Sequence, residues 1–463
     1  MPALVEQRLD APCALPVLSE EAKRRGLPWQ LAHNTLNSVF ASLTVFGPVF
    51  VLFLDELGLP KTQIGLLLSL LPFSGLLALG FSPLATRWGR RRVVLVCWTA
   101  RKLFIAGLLL LPWILAQHGH TAGRVYLVAV VAAFAVMRAL AETAWYPWVQ
   151  EVVPDRLRGR FGANSAVLGT VAACLALAVG GQVLDRGAGL DRFLLLIGIG
   201  CVFGLAAALV LIGVPGGEPR PAGGPHERHW DNMGAALRDR NFVLYLWGLA
   251  GVTLGTLLYL TFLPLFLKQR LGLPVSTVVT METVVMVGGA LSALVWGRAA
   301  DRVGSRPVLM VSVALTLLVP LGWLLLPRQA PHLLLWCGAL YLLHGMAFNG
   351  CAIGAGRLLL NGVVPPEQNT AYMAVFYSWQ GLVGGAAPLL AGALLQLYRP
   401  WQGAVGVLTA DGHAVLFLLA TLAVALGWAC YGRVRPDDRY RTRDLMQRLL
   451  VRVPWFALRD GLK

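Results

Sequence analysis

Charge is what this chain has least of. Asp, Glu, Lys and Arg make up 13% of its 463 residues, about half the share in an average soluble domain. Acids are the scarcer sign, 23 against 39 bases, leaving a formal net charge of +16. With 57% hydrophobic residues and a mean hydropathy of +0.66, few stretches are polar enough for a solvated surface, so most of the chain is expected in lipid. In that setting a positive balance does not point to nucleic acid. Basic residues of a membrane chain collect in the loops and tails that stay in the cytoplasm.

Cysteine chemistry is also absent. Of the seven cysteines, six (Cys97, Cys174, Cys201, Cys337, Cys351, Cys430) fall in apolar runs and Cys13 lies near the N-terminus. No spacing matches a metal site or a disulfide framework, so they are read as small packing residues. There is no glycine-lysine-serine phosphate loop, no paired-histidine metal site and no serine elbow. An enzyme is therefore not expected, nor a cofactor or a metal, and ATP is not expected to drive the chain directly. Residues 1–28 are polar and proline-bearing, without an apolar core or a small-residue cleavage site. They are expected to form a cytoplasmic tail rather than a signal peptide.

What is present is a repeat. Leu57-Gly58-Leu59-Pro60 recurs as Leu271-Gly272-Leu273-Pro274, 214 residues on. The basic turn Arg87-Trp88-Gly89-Arg90-Arg91 is echoed by Arg302-Val303-Gly304-Ser305-Arg306 at an offset of 215. Val153-Pro154 returns as Val364-Pro365, 211 residues on. Offsets near half the chain length mean two copies of one unit. In an apolar chain that pattern points to two halves built around a central site.

A bilayer core takes about 20 apolar residues per helix. Runs of that length fall at 33–54, 62–85, 93–116, 124–149, 161–184, 193–214, 242–267, 275–296, 307–326, 333–361, 372–397 and 412–433, twelve in all. If the N-terminus is inside, 27 lysines and arginines lie in inside segments and 8 in outside segments, with four more within the runs. That bias places both termini in the cytoplasm, and the protein in the cytoplasmic membrane. The expected organisation is a tail at 1–28, a six-helix half at 29–215, a linker at 216–240, a second half at 241–433 and a basic tail at 434–463. The linker is rich in glycine and proline from Gly216 to Pro225, with a short surface helix expected from Asp231 to Arg240. The last segment mixes Leu445, Leu449, Trp455 and Phe456 with Arg441, Arg448 and Arg452. It fits either a basic amphipathic helix on the membrane surface or a disordered polybasic tail.

Gly297, Asp301, Arg302, Gly304 and Arg306 follow the order glycine, three residues, Asp-Arg, one residue, glycine, one residue, arginine. This resembles the signature loop between helices eight and nine of the major facilitator superfamily. The first-half counterpart, with Arg87, Gly89 and Arg91, keeps the bases but has Ser82 for the glycine and Thr86 for the acid. A further cluster, Trp148, Glu151, Pro154, Arg158, Gly159, Arg160 and Gly162, is similar to the helix four–five turn of some bacterial members. The resemblance covers residues 29–433. It implies an all-α integral membrane protein of twelve transmembrane helices in two pseudo-symmetric six-helix bundles; a monomer is expected. It also implies that helices one, four, seven and ten line a central cavity. In such a loop an acid at a helix end pairs with an arginine or with a helix N-terminus, and that contact is expected to latch one conformation. Arg87, Arg90 and Arg91 equally fit a role in fixing topology.

Ionisable groups within the runs are the candidate site. A charge at mid-membrane costs about 2.5–3.5 kcal/mol on insertion scales, so such groups tend to face the bundle interior and a partner. Arg138 and Glu142 are one helical turn apart in the fourth run, and the resemblance puts them in the cavity. Substrate or proton handling and a structural ion pair both fit them. Glu282 stands in the eighth run with no charged residue within a turn; it would titrate or pair across helices. His344 and Asn349 lie near the middle of the tenth run, where Arg357 is closer to the inner end as a gate or a snorkelling anchor. His33, Asn34 and Asn37 sit near the inner mouth of the first. Arg101 and Lys102 lie roughly 13 Å into the third, as expected partners for Glu142 or for lipid phosphates.

The function expected is secondary transport of a small solute by alternating access, with a proton gradient as a candidate driving force. Membrane lipids, a small-molecule solute and protons are the expected partners. A drug exporter or lipid flippase is the main alternative, favoured by a wide apolar cavity open to lipid, whereas a closed polar cavity favours a polar solute. A non-transporting membrane receptor on the same fold is the remaining one.

Overall fold

The computed structural model describes residues 18–77, 88–154, 157–219, 229–326, 332–365, 369–400, 403–405 and 408–436. Helix α1 (Glu20–Leu43) opens on Ser19, whose hydroxyl accepts from the Ala22 amide at 3.2 Å. The cap is followed by Glu20 and Glu21, which suit the positive end of the helix. The helix therefore starts before its apolar run, and residues 20–28, expected as tail, are its first turns. A break at 44–47 separates α1 from α2 (Pro48–Glu56). Then come α3 (Lys61–Phe73), α4 (Arg90–Ala106), α5 (Leu111–Val152), α6 (Arg158–Arg186) and α7 (Asp191–Val210). A short α8 (His229–Arg238) falls where a surface helix was expected and leads into α9 (Arg240–Leu260) and α10 (Leu263–Gln269). The second half continues with α11 (Val275–Val303), α12 (Ser305–Leu325), α13 (Leu333–Leu358), α14 (Asn369–Leu397) and α15 (Gly412–Tyr431). Strands β1 (Gly403–Val405) and β2 (Leu408–Ala410) pair antiparallel between α14 and α15. The tail at 437–463, and Arg87 with the rest of 78–87, lie outside the described residues.

Among the described residues, ten stretches are long and apolar enough to cross a membrane. One of them, Arg90–Val152, has 63 residues. A straight helix of that length would be about 95 Å, three times the hydrocarbon thickness. It instead folds back at Gly119, where φ is +77°. The Tyr126 hydroxyl donates to the Gly107 carbonyl at 2.8 Å, joining two points that one straight helix would hold far apart. A shorter apolar helix spans Lys61–Leu77. The outward-facing side chains are apolar: Val202, Leu209, Leu291, Leu335 and Leu426 are about two-thirds exposed. In water such a surface would be an aggregation liability; against lipid it is expected.

The repeat is conformational as well as textual. Gly58 and Gly272 have φ of +70° and +66°, each followed by a proline that caps the next helix with extended ψ, 151° at Pro60 and 146° at Pro274. Gly89 and Gly304 have φ of +91° and +86°. Val153 follows α5, and Val364 follows the π-helical turn Leu359–Val363 that continues α13, with ψ of 114° and 120°. The first helix of each half breaks at matching places. Thr44 and Thr261 each turn a hydroxyl back to a carbonyl one turn earlier at 2.6 Å, and Pro48 and Pro264 open the short second segments.

Those short segments, α2 and α10, stand at the distal face, opposite the face that holds the start of α1 and the end of α15. The halves meet most tightly from there inward. A Cβ on Gly65 would lie 2.3 Å from the Pro388 carbonyl oxygen, and one on Gly392 would lie 2.5 Å from that of Lys61, so α3 and α14 touch backbone to backbone. On the other side of the axis, α6 packs on α11 where Gly181 meets Ser276 and Thr280.

Candidate functional site

Helices α1, α4 and α5 enclose a cavity of about 230 Å³. It lies nearer the terminal face, since Arg101 is eleven residues into α4 and Glu142 ten from the end of α5, some 15 Å of helix in each case. Arg138 and Glu142 line it and pair, Nε to Oε1 at 2.8 Å. The bond uses only the Nε of the guanidinium, which also stacks over Phe46 with its carbon 5.0 Å from the ring centre. Asn34 and Asn37 line the same cavity. Asn34 donates to the Ser165 hydroxyl of α6 at 2.8 Å. Asn37 accepts from Nη2 of Arg101 at 3.1 Å.

The cavity also gathers residues that periodicity alone did not bring together. Arg101 and His33 are buried, 4% and 1% exposed. The Arg101 guanidinium lies over Trp98, 4.7 Å from the ring centre, and its Nε has no hydrogen-bond partner. His33 stacks flat on Trp98, centroids 4.7 Å apart and planes within 7°. Its Nδ1 meets the Ala207 carbonyl at 2.8 Å, and its Nε2 is unpartnered. Trp145 closes the cluster against Trp98 at 4.3 Å. Arg101 was expected beside Glu142; it is held by an asparagine and an aromatic face instead. Lys102, on the next residue, is completely buried, with its Nζ unbonded between Phe40 and Trp98. The sequence signal was available: two consecutive bases inside an apolar run, one helical turn from a tryptophan.

Glu282, His344 and Asn349 do not line this cavity. Asn349 donates to the Gly289 carbonyl at 3.0 Å and so ties α13 to α11. His344 is buried, with Nδ1 3.1 Å from the Tyr259 hydroxyl. Glu282 is half-buried on α11, and among the described residues it has no hydrogen bond or ion pair.

The signature loop is a tie within one half. Asp301 Oδ1 pairs with Arg357 Nη1 at 2.5 Å, both side chains well exposed, joining the ends of α11 and α13. Arg306 donates to the Gly432 carbonyl. Arg91 makes the matching contact in the first half, to the Ile212 carbonyl at 2.6 Å. Gly297 has open space around it, and Arg302 is exposed. The acid missing at Thr86 has a substitute elsewhere: Arg90 pairs with Glu151 of α5 at 3.4 Å. The polarity is reversed between halves, with the base on the loop in the first and the acid on the loop in the second.

The distal face carries a network that the sequence did not signal as such. Asp55 accepts from Gln269 Nε2 at 2.7 Å and from Lys268 Nζ at 3.0 Å. Lys61 donates to Gln269 Oε1 at 2.8 Å and lies 3.6 Å from Asp55. Lys268 and Arg192 approach Glu56 at 3.5 and 3.6 Å. The signal was the repeat itself: Asp55-Glu56 precedes the first Leu-Gly-Leu-Pro, and Lys268-Gln269-Arg270 precedes the second.

Two helical bundles related by an internal repeat, tied together at one face and with a polar cavity in the first bundle, define a multi-pass membrane protein of transporter architecture, not an enzyme. The chain belongs to the Major Facilitator Superfamily, whose family model matches residues 35–388 and again 280–461. An uncharacterised MFS-type transporter of Mycobacterium tuberculosis (strain H37Rv) is 32% identical over 141 residues. That alignment spans 29% of this chain and 30% of the relative. Among solved structures, the nucleoside transporter NupG matches at a TM-score of 0.64 with 16% identity, covering 91% of this chain and 100% of that one. A D-xylose-proton symporter matches at 0.67 with 15% identity, covering 90% and 99%. A bacterial homologue of the iron transporter ferroportin matches at 0.67 in its inward-facing state with 13% identity, covering 91% and 100%. Its outward-facing state gives 0.58 with 14% identity, covering 89% and 99%.

Proposed function

We propose that the chain is a twelve-helix secondary transporter of the cytoplasmic membrane, moving a small polar solute by alternating access, with both termini in the cytoplasm. The twelve helices follow if Arg90–Val152 is counted as two crossings and Lys61–Leu77 as one. The observation that carries the reading is the inter-half network of Asp55, Glu56, Lys61, Lys268 and Gln269, set on the far side of the polar cavity from the start of α1. One face is closed by contacts that can be exchanged, and a site lies between that closure and the other face, which is the arrangement that rocking halves require. The structure is read as inward-facing, and the higher TM-score against the inward-facing ferroportin homologue agrees. A polar wall with two arginines favours a polar solute over a lipid or an apolar drug.

Proton coupling is the driving force we favour, on the strength of Glu282, an acid without a counter-charge inside α11. A symporter named for D-xylose and protons among the structural neighbours is in keeping with that choice. The test is reconstitution in sealed vesicles with a panel of sugars, nucleosides and organic acids, each followed with and without an imposed pH gradient. Saturable uptake of one class, with counterflow when the vesicles are preloaded, is expected. Saturable binding without flux or counterflow for any solute would replace the transporter reading with that of a receptor.

A further inference from the structure

Charge in the α1–α4–α5 cavity does not balance. Its walls hold two guanidinium groups, Arg101 and Arg138, against a single carboxylate, Glu142. Glu142 already takes the Nε of Arg138. Among the described residues Arg101 has no carboxylate within ion-pair distance: it bonds a neutral asparagine and leaves Nε unbonded, though it is almost entirely buried. Lys102 directly behind it is a further basic side chain, also unbonded. Buried cations in proteins are ordinarily paired. Here the missing partner is best supplied by something that comes and goes.

Resting on the transporter reading above, we infer that the solute is a small organic anion, a carboxylate or a phosphate monoester on a flat or apolar body, held between Arg101 and Arg138. A guanidinium presents a planar fork of donors that suits both anions, and Arg138 keeps its two terminal nitrogens for that purpose. The unpartnered Nε2 of His33 adds a further polar position on the same wall. Phe46 and Trp145 supply the apolar side, against which a flat body packs. A neutral sugar would leave the guanidinium groups unneutralised. A cation would be repelled by the net charge. At about 230 Å³ the cavity has room for a small solute.

The test measures thermal protection of the full-length protein in a neutral detergent, free of added lipid. The probes are benzoate and phenyl phosphate, against their neutral counterparts benzamide and benzyl alcohol, with lysophosphatidylglycerol as the lipid-derived anion. Bound solute raises apparent stability by mass action. Protection by benzoate or phenyl phosphate, at least tenfold lower in half-saturating concentration than for the neutral counterpart, is expected. Arg101→Gln should abolish the preference for the anion, and Arg101→Lys should keep part of it. Arg138→Gln serves as an independent variant should Arg101→Gln fail to fold. Protection by lysophosphatidylglycerol alone would assign the cations to a lipid headgroup and overturn the proposal. Equal protection by charged and neutral probes, or none by any anion, would overturn it as well. If the vesicles still show saturable flux of a neutral solute, the transporter reading survives and only the anion assignment falls.

Discussion

Asp55 and Lys268, 213 residues apart in the chain, meet at 3.0 Å across the divide between the halves. The pair is three-quarters or more buried at both ends and shares its carboxylate with Gln269 and Lys61. An exposed ion pair contributes about 0.2–1 kcal/mol, but a network held in a closed interface is less screened. If it holds the distal face shut, weakening it should shift the population toward the open state. We expect Asp55→Asn to raise the labelling rate of a Thr280→Cys reporter, at the α6–α11 contact, several-fold with an impermeant maleimide from outside. About 1.4 kcal/mol is a tenfold shift in population. Exchanging the charges, Asp55→Lys with Lys268→Asp, should return labelling towards its original rate. Unchanged labelling in Asp55→Asn would show that the packing of α3 on α14, and not the network, closes this face.

Lys102 offers a separation of stability from function. Its amine is buried without a hydrogen bond, and burying a polar group without a partner is destabilising whether or not it keeps its proton. Lys102→Met keeps the aliphatic stem against Phe40 and removes the amine. The expected outcome is a higher melting temperature, by several degrees, together with slower flux, as at other sites where strain serves activity. A lower melting temperature would mean that the amine has a stabilising role that its surroundings do not reveal.

The two loop ties make a matched pair of tests. Arg90–Glu151 and Asp301–Arg357 serve equivalent places with opposite polarity. Asp301→Asn should alter the balance of open states while leaving insertion intact, and Asp301→Arg with Arg357→Asp should repair it. A cysteine at Gly297, which faces open space, reports the change from the terminal face. If the single variant leaves both labelling and flux unaltered, the tie serves packing or topology and does not help set the balance of states.

Fold class was readable because it rests on quantities that lipid dictates: run length, low charge and a repeat of half the chain. The repeated glycines were readable because a positive φ restricts the residue type, and the same conformations recur at Gly58 and Gly272. The helix breaks at 44–47 and 261–262 were not. Both lie inside uninterrupted apolar runs, where threonine and proline signals are weak against hydropathy. The candidate cavity was half readable. Arg138 and Glu142 share one helix, so spacing sufficed; Arg101 meets Asn37 only because α4 packs beside α1, which no local pattern encodes. Asn349 was misleading for the converse reason. An asparagine inside an apolar run reads as a binding group, but here its amide donates to the Gly289 carbonyl where α13 crosses α11.

The Arg138–Glu142 pair carries the sharpest prediction. Two opposite charges one turn apart in the membrane cost little only while they remain together and reach a polar cavity. As a structural bridge, the pair should tolerate double replacement better than single replacement, because no lone charge is left behind. As part of the site, its double replacement should remove flux from a protein that is still folded. We therefore expect Arg138→Gln with Glu142→Gln to insert, run as a single species on size exclusion and melt near the parent temperature, while flux falls at least tenfold. Glu142→Gln alone should leave Arg138 unneutralised, so that an anionic probe binds more tightly and leaves more slowly. Arg138→Gln alone should weaken the same probe. Opposite shifts from the two single variants distinguish a binding role from general damage, which would weaken both. Near-normal flux in the double variant would leave the pair as a bridge between turns of α5 and move the search for the solute site to the second half.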